Sequence, residues 1–146
     1  MIGEHDLTDG TDGTFHSVES FTEHPNFGYA PAPTFDFVII TLAEPVALGG
    51  TAIPACLPSE NMDETFLTGK SLTVSGWGNL GEGGDQPLAL HKVEVPFVPT
   101  AVCNESYHGI INEVMVCAGN VTAGGIDSCQ GDSGGTFSEY NFGGAL

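Results

Sequence analysis

Near the end of the chain, Asp127 to Gly135 read DSCQGDSGG, which sets one serine between an aspartate and two glycines, with a second aspartate six residues upstream. A serine hydroxyl is a weak nucleophile. It attacks a carbonyl only where a nearby base takes its proton and donors sit where negative charge develops. Glycines around Ser133 serve the second need, because a backbone without Cβ can turn the N–H groups of Gly131 and Ser133 into one small hole. A glycine-rich turn with no chemistry is the plain alternative for a short match. A different chemistry is suggested at the other end, where Glu4, Asp6, Asp9 and Asp12 crowd one stretch. Hard oxygen ligands gathered in this way suit calcium, although the spacing is not that of an EF-hand and a solvated acidic loop would look the same.

The elements that must position these groups are short. β-like runs alternate with turn chemistry, and no segment sustains a 3.6-residue apolar period, so the fold class is all-β. Phe35 to Leu42 (FDFVIITL) and Leu72 to Trp77 (LTVSGW) are rich in β-branched and aromatic residues and are expected as buried strands. Leu88 to Val98 nearly alternates apolar and polar positions, as a strand with one solvated face does, until Pro96 removes a backbone donor. Val114 to Ala118 is a further short strand. Thr100 to Tyr107 is expected to be the one helix, about two turns opening at an N-cap threonine. Asp6 to Thr14, dense in Asp, Gly and Thr, is a loop. Three prolines and a glycine pair between Ala43 and Ser59 mark a surface connector.

Composition bounds the rest. The chain has 146 residues, 40% of them apolar and 14% charged, with two cations against nineteen carboxylates for a formal net charge of −17. Nucleic acid and anionic membrane are poor partners for such a chain, since both are bound by Lys and Arg, and no apolar run reaches the ~20 residues of a spanning helix. A cationic ligand is favoured, with acidity that only supplies solubility as the plain alternative. Four cysteines and two acceptor sequons, Asn104 with Ser106 and Asn120 with Thr122, fit an oxidising and glycosylating route, although the start of the chain has no signal-peptide pattern.

DSCQGDSGG extends well past a lone glycine-flanked serine and resembles the nucleophile segment of the trypsin and chymotrypsin family of serine endopeptidases. Other stretches resemble that family in its own order. HPNFG (24–28) followed by DFVIITLAEPV (36–46) is similar to the segment carrying the catalytic aspartate. SGWG (75–78) is similar to a strand and turn early in the second barrel, and VCNESYHGIINEVMVCAG (102–119) to the disulfide-closed loop before the pocket. The resemblance runs through essentially the whole chain. It implies a partial double antiparallel β-barrel, with a remnant of the first barrel at 1–48, an inter-barrel connector at 49–62, and most of the second barrel at 63–146.

The resemblance also implies roles. Ser133 is the nucleophile, Gly131 and Ser133 supply the oxyanion-hole N–H groups, and Asp36 orients and stabilises the catalytic imidazole. Asp127 lies at the floor of the specificity pocket as a buried carboxylate that needs a cationic partner, hence cleavage after Arg or Lys. Asp132 pairs with the amino terminus freed on zymogen activation. Cys103 bonds to Cys117, and the family partners of Cys56 and Cys129 lie outside this sequence. The cysteine count by itself allows three pairings, so a Cys56–Cys129 bond stays open. The acidic loop resembles one where many trypsins hold calcium; no other cofactor is implied. Polypeptides with Arg or Lys at the cleaved bond are the implied substrates, protein protease inhibitors are further partners, and the location is secreted.

The pattern has gaps. The family's catalytic histidine sits in an Ala-Ala-His-Cys motif, and none of the five histidines (His5, His16, His24, His91, His108) lies in such a string. His24 matches a position used for turn structure. Ile2 and Gly3 superficially resemble an activation terminus, yet GEHDL from Gly3 is more similar to a loop following the catalytic histidine. TFSEYNFGGAL (136–146) departs from the family pattern after the double glycine. The expectation is therefore a trypsin-like endopeptidase chain, incomplete at both ends and inactive by itself. The alternatives are a catalytically dead homologue acting as a secreted binding module, and an acidic calcium-binding secreted protein.

Overall fold

The computed structural model describes residues 1–59 and 62–139. The chain separates into two compact units, Met1–Asn61 and Met62–Leu146. The expectations for Glu60, Asn61 and the end from Tyr140 to Leu146 lie outside the described residues.

In the first unit, β1 (Val18–Glu23) pairs antiparallel with β2 (Val38–Leu42), with Glu23 opposite Val38, Phe21 opposite Ile40 and a bulge between Val18 and Ser20. The β-branched run VIITL makes β2 a natural strand. The strand expected at 35–42 starts only at Val38. Phe35 has φ 52° and the Phe37 N–H donates to the Phe35 carbonyl at 2.9 Å, so Asp36 is the apex of a three-residue turn. The strand is also not buried: Ile39 is 61% exposed, because a two-stranded sheet has no second layer against either face within this unit.

The second unit is built on a four-stranded antiparallel sheet. β3 (Ser71–Gly76) pairs with β4 (His91–Val98) from Ser71 opposite Pro96 to Gly76 opposite His91. β5 (Cys117–Ala118) adds to the end of β4, and β6 (Thr136–Ser138) to β3, giving the order β5-β4-β3-β6. Alternation along β3 and β4 sends Leu72, Val95 and Phe97 to one side, where they form the buried cluster with Leu67, Val74, Val93 and Ala118 packed against it. Pro96 costs the ladder one donor, but its carbonyl accepts from the Gly119 N–H at 2.8 Å. Of the strand expected at 114–118, only Cys117 and Ala118 are extended and paired.

Among the described residues this unit has two helices rather than one. α1 (Glu64–Leu67) is capped by Asp63, whose Oδ1 accepts from the Thr65 N–H at 2.9 Å. α2 (Thr100–Ser106) is the expected helix, but Thr100 is its first residue and not its cap. Pro99 occupies the cap position and offers no side-chain acceptor, so the orphan Thr100 N–H donates instead to Glu64 Oε1 at 2.8 Å. The two helix starts are thus stitched together by one carboxylate. A disulfide joins buried Cys103 of α2 to Cys117 of β5, with Cα atoms 6.3 Å apart, which is ordinary disulfide reach.

Candidate active site

The segment around Ser133 folds as two successive tight turns that share Asp132. The Asp132 N–H donates to the Cys129 carbonyl at 3.0 Å, and the Gly135 N–H donates to the Asp132 carbonyl at 2.8 Å. The third residue of each turn is a glycine in the left-handed region, Gly131 at φ 99° and Gly134 at φ 80°, as such turns require. Ser133 is therefore the second residue of the latter turn and is exposed. This serine is presented by chain geometry that only glycine tolerates on both sides.

Asp132 anchors both turns. Its Oδ1 accepts from the Gly78 N–H at 2.8 Å and its Oδ2 from the Cys129 N–H at 2.9 Å. The carboxylate lies so close to the end of β3 that a Cβ at Gly78 would stand 2.5 Å from Asp132 Cγ, and one at Gly76 would collide with Asp132 Oδ1. This is the physical reason for two glycines in SGWG. The Asn79 N–H donates to the Gln130 carbonyl at 2.8 Å, a second tie between the same two stretches. A Cβ at Gly135 would lie 2.8 Å from the Ser75 carbonyl, so β6 also leaves the turn pressed against β3. Nothing in the sequence singles out Gln86, yet its Nε2 packs where a Cβ on Gly131 would fall, at 2.6 Å.

A cleft of about 750 Å³ runs beside this turn, and Ser133, Asp132 and Asp127 all line it, with Val98, Ile126 and Phe137 among its apolar residues. Two carboxylates and the nucleophile-type hydroxyl thus share one concavity, which is attractive to a cation. The expectation of a buried Asp127 is corrected. Asp127 is exposed, and its Oδ1 accepts from the Ser128 N–H at 2.8 Å. Cys56 is an exposed free thiol and Cys129 a partly buried one.

Asp36 belongs to the first unit and is described with it alone. It is exposed at the apex of the 35–37 turn, between two aromatic rings that both meet His24. The imidazole stacks on Phe35 at 4.5 Å between ring centroids and tilts against Phe37 at 4.8 Å, while its Nδ1 accepts from the Asn26 N–H at 3.2 Å. His24 is thus engaged in holding a turn.

The acidic loop does not present a cation set. Glu4 is 9% exposed and spends both oxygens on its own loop, Oε1 on the His5 and Asp6 N–H groups and Oε2 on the Gly13 N–H. Asp6 accepts from Thr8, which holds its carboxyl below the usual carboxylate range, and Asp9 accepts from Thr11. Among the described residues no three His, Cys, Asp or Glu side chains form a group.

Comparison with known proteins accords with this geometry. Residues 1–141 match the family model described as Trypsin. The chain is 36% identical over 121 residues to Vitamin K-dependent protein C of Felis catus, covering 81% of this chain and 76% of that protein. It is 39% identical over 121 residues to Serine protease 56 of Homo sapiens (81% and 19%), and 32% identical over 149 residues to the Clotting factor G beta subunit of Tachypleus tridentatus (96% and 47%). It thus spans less than half of the latter two relatives. A family match that contains both the Asp36 turn and the double turn at Ser133 places the strands in a partial trypsin-like double barrel, and the chain belongs to the trypsin family of serine proteases.

Proposed function

We propose that this chain carries the nucleophile, the orienting carboxylate and the specificity residue of an endopeptidase that cleaves after Arg or Lys. The observation that supports the reading most is the double turn pinned by Asp132, which holds an exposed Ser133 in the same cleft as Asp127. In the proposed reaction, Ser133 Oγ bonds to the scissile carbonyl carbon as its proton passes to an imidazole, and the amine departs with that proton. Water then releases the acid from the acyl-serine. The Gly131 and Ser133 N–H groups would meet the oxyanion, Asp36 would hold the imidazole, and Asp127 would pair with the substrate cation. Protein protease inhibitors are further partners in this reading, and the protein works outside the cell, where its disulfide persists.

No histidine of these 146 residues lies in the family's base motif, and His24 is occupied with a turn. We therefore propose negligible turnover for this chain alone, since loss of the base costs on the order of a millionfold in serine peptidases. That same observation favours a second reading, a secreted binding module that keeps the cleft without the chemistry.

The test has two arms. A small arginine amide is titrated onto the chain by NMR, with resonance shifts expected at the 127–135 segment and lost in Asp127→Ser. A serine-directed phosphonate is then offered, with labelling of Ser133 expected far below the rate of an active peptidase. Arginine amide binding that is indifferent to Asp127→Ser would overturn the specificity assignment, and rapid labelling would overturn the missing base.

A further inference from the structure

We propose that Asn120 carries an N-linked glycan and that Asn104, which stands in the same acceptor pattern, stays bare. The proposal rests on the extracellular reading above. Glycosyl transfer joins the Asn side-chain nitrogen to C1 of a sugar held as a lipid-linked diphosphate. The C–N bond forms, the C–O bond to the diphosphate breaks with its electron pair, and one amide proton goes to the transferase. The acceptor Asn must therefore be reachable, and its side chain must lie toward the hydroxyl residue two positions on.

Both asparagines are half-buried, and the two sequons differ in the second respect. Asn120 Oδ1 accepts from the Thr122 N–H at 3.1 Å and the Ala123 N–H at 2.9 Å, so the amide arches over Thr122 in an Asx-turn, closed further by the Gly124 N–H to the Asn120 carbonyl at 2.8 Å. These bonds engage the side-chain oxygen and leave the acceptor nitrogen to the transferase. All of them lie within residues 120–124, so the turn needs no tertiary support, and Val121 to Ser128 are exposed. Asn104 sits inside α2, where residues two apart do not face each other, so Ser106 cannot be brought to its amide. Its Oδ1 instead takes the Ile111 N–H at 2.9 Å, beside buried Cys103 and the disulfide. Asn120 also lines the cleft that holds Ser133, which puts the sugar on the wall of the candidate site.

The full chain, secreted from a glycosylating host, is treated with a peptide N-glycosidase in heavy-oxygen water and mapped by mass spectrometry. Isotope-labelled Asp is expected at 120 and unlabelled Asn at 104. The one-glycan mobility shift is expected to vanish in Thr122→Ala, which spares Asn120 and its backbone bonds, and to persist in Ser106→Ala. Label at 104, or no label at 120 in a chain whose Cys103–Cys117 bond has formed, overturns the glycan assignment alone. A chain that emerges with Cys103 and Cys117 as free thiols overturns the extracellular reading with it.

Discussion

Replacing Asp132 by alanine removes a carboxylate that ties the two turns around Ser133 to the end of β3. Two hydrogen bonds go with it, from the Gly78 N–H and the Cys129 N–H, both accepted by a carboxylate that is only partly exposed. Bonds to a charged group contribute about 1.5–3 kcal/mol each, and partial exposure places the pair near the low end, at a total of about 3 kcal/mol. With a urea slope of about 2 kcal/mol/M for a chain of this size, the unfolding midpoint should fall by roughly 1.5 M. Trp77 is the single tryptophan and stands between the two glycines that abut Asp132, so its fluorescence reports on this contact. Ser133→Ala, at an exposed position one residue on, should stay within about 0.5 kcal/mol of the parent. Equal midpoints for Asp132→Ala and Ser133→Ala would refute the anchoring role, whatever their distance from the parent protein.

Other perturbations are expected to read out separately. Converting Cys103 and Cys117 to serine should lower stability by about 3 kcal/mol, as for a short closed loop, measured by urea unfolding. Val95→Ala should cost about 2 kcal/mol, because Val95 is the least exposed of the core residues described, at 1%, and its truncation leaves a space in the cluster with Leu72 and Phe97; a change below about 0.5 kcal/mol would contradict the core assignment. The hydroxyl and N–H of Thr65 hold the Asp63 carboxyl below its ordinary value. A depressed carboxyl contributes stability above its unfolded pKa of about 3.9, and that contribution fades as pH falls through the folded value. The gap in stability between the parent and Asp63→Ala should accordingly begin to narrow as pH falls below about 4, and a gap constant from pH 7 to pH 3 would exclude the charged cap.

Much of the second unit was legible beforehand. β3 follows the β-branched and aromatic content of its stretch and β4 the apolar alternation of its residues, and α2 spans nearly the residues expected. α1 was not legible: four residues carry no periodicity, and its Asp63 cap looks like any acidic turn. The exposure of Ile39 and Ile40 was hidden for another reason. A β-branched run reports that a segment suits a strand, and says nothing of whether a second layer covers it. At the candidate site, Ser133 and its glycines stood out by spacing, whereas Gln86 has no local signature.

The sequence by itself determined which residues turn and which extend, because a positive φ at Gly131 and Gly134, or a β-branched strand at 38–42, is decided by sterics within a few residues. It also carried the family likeness of DSCQGDSGG. Only the tertiary structure decided that Asp132 reaches Gly78, 54 residues away, that Glu64 caps a helix 36 residues further on, and that Asp127 is exposed. Those outcomes depend on the register of β3 against β4 and on the close approach of β6. Contacts of that range are set by which surfaces meet once the strands have paired, a quantity that no local preference encodes.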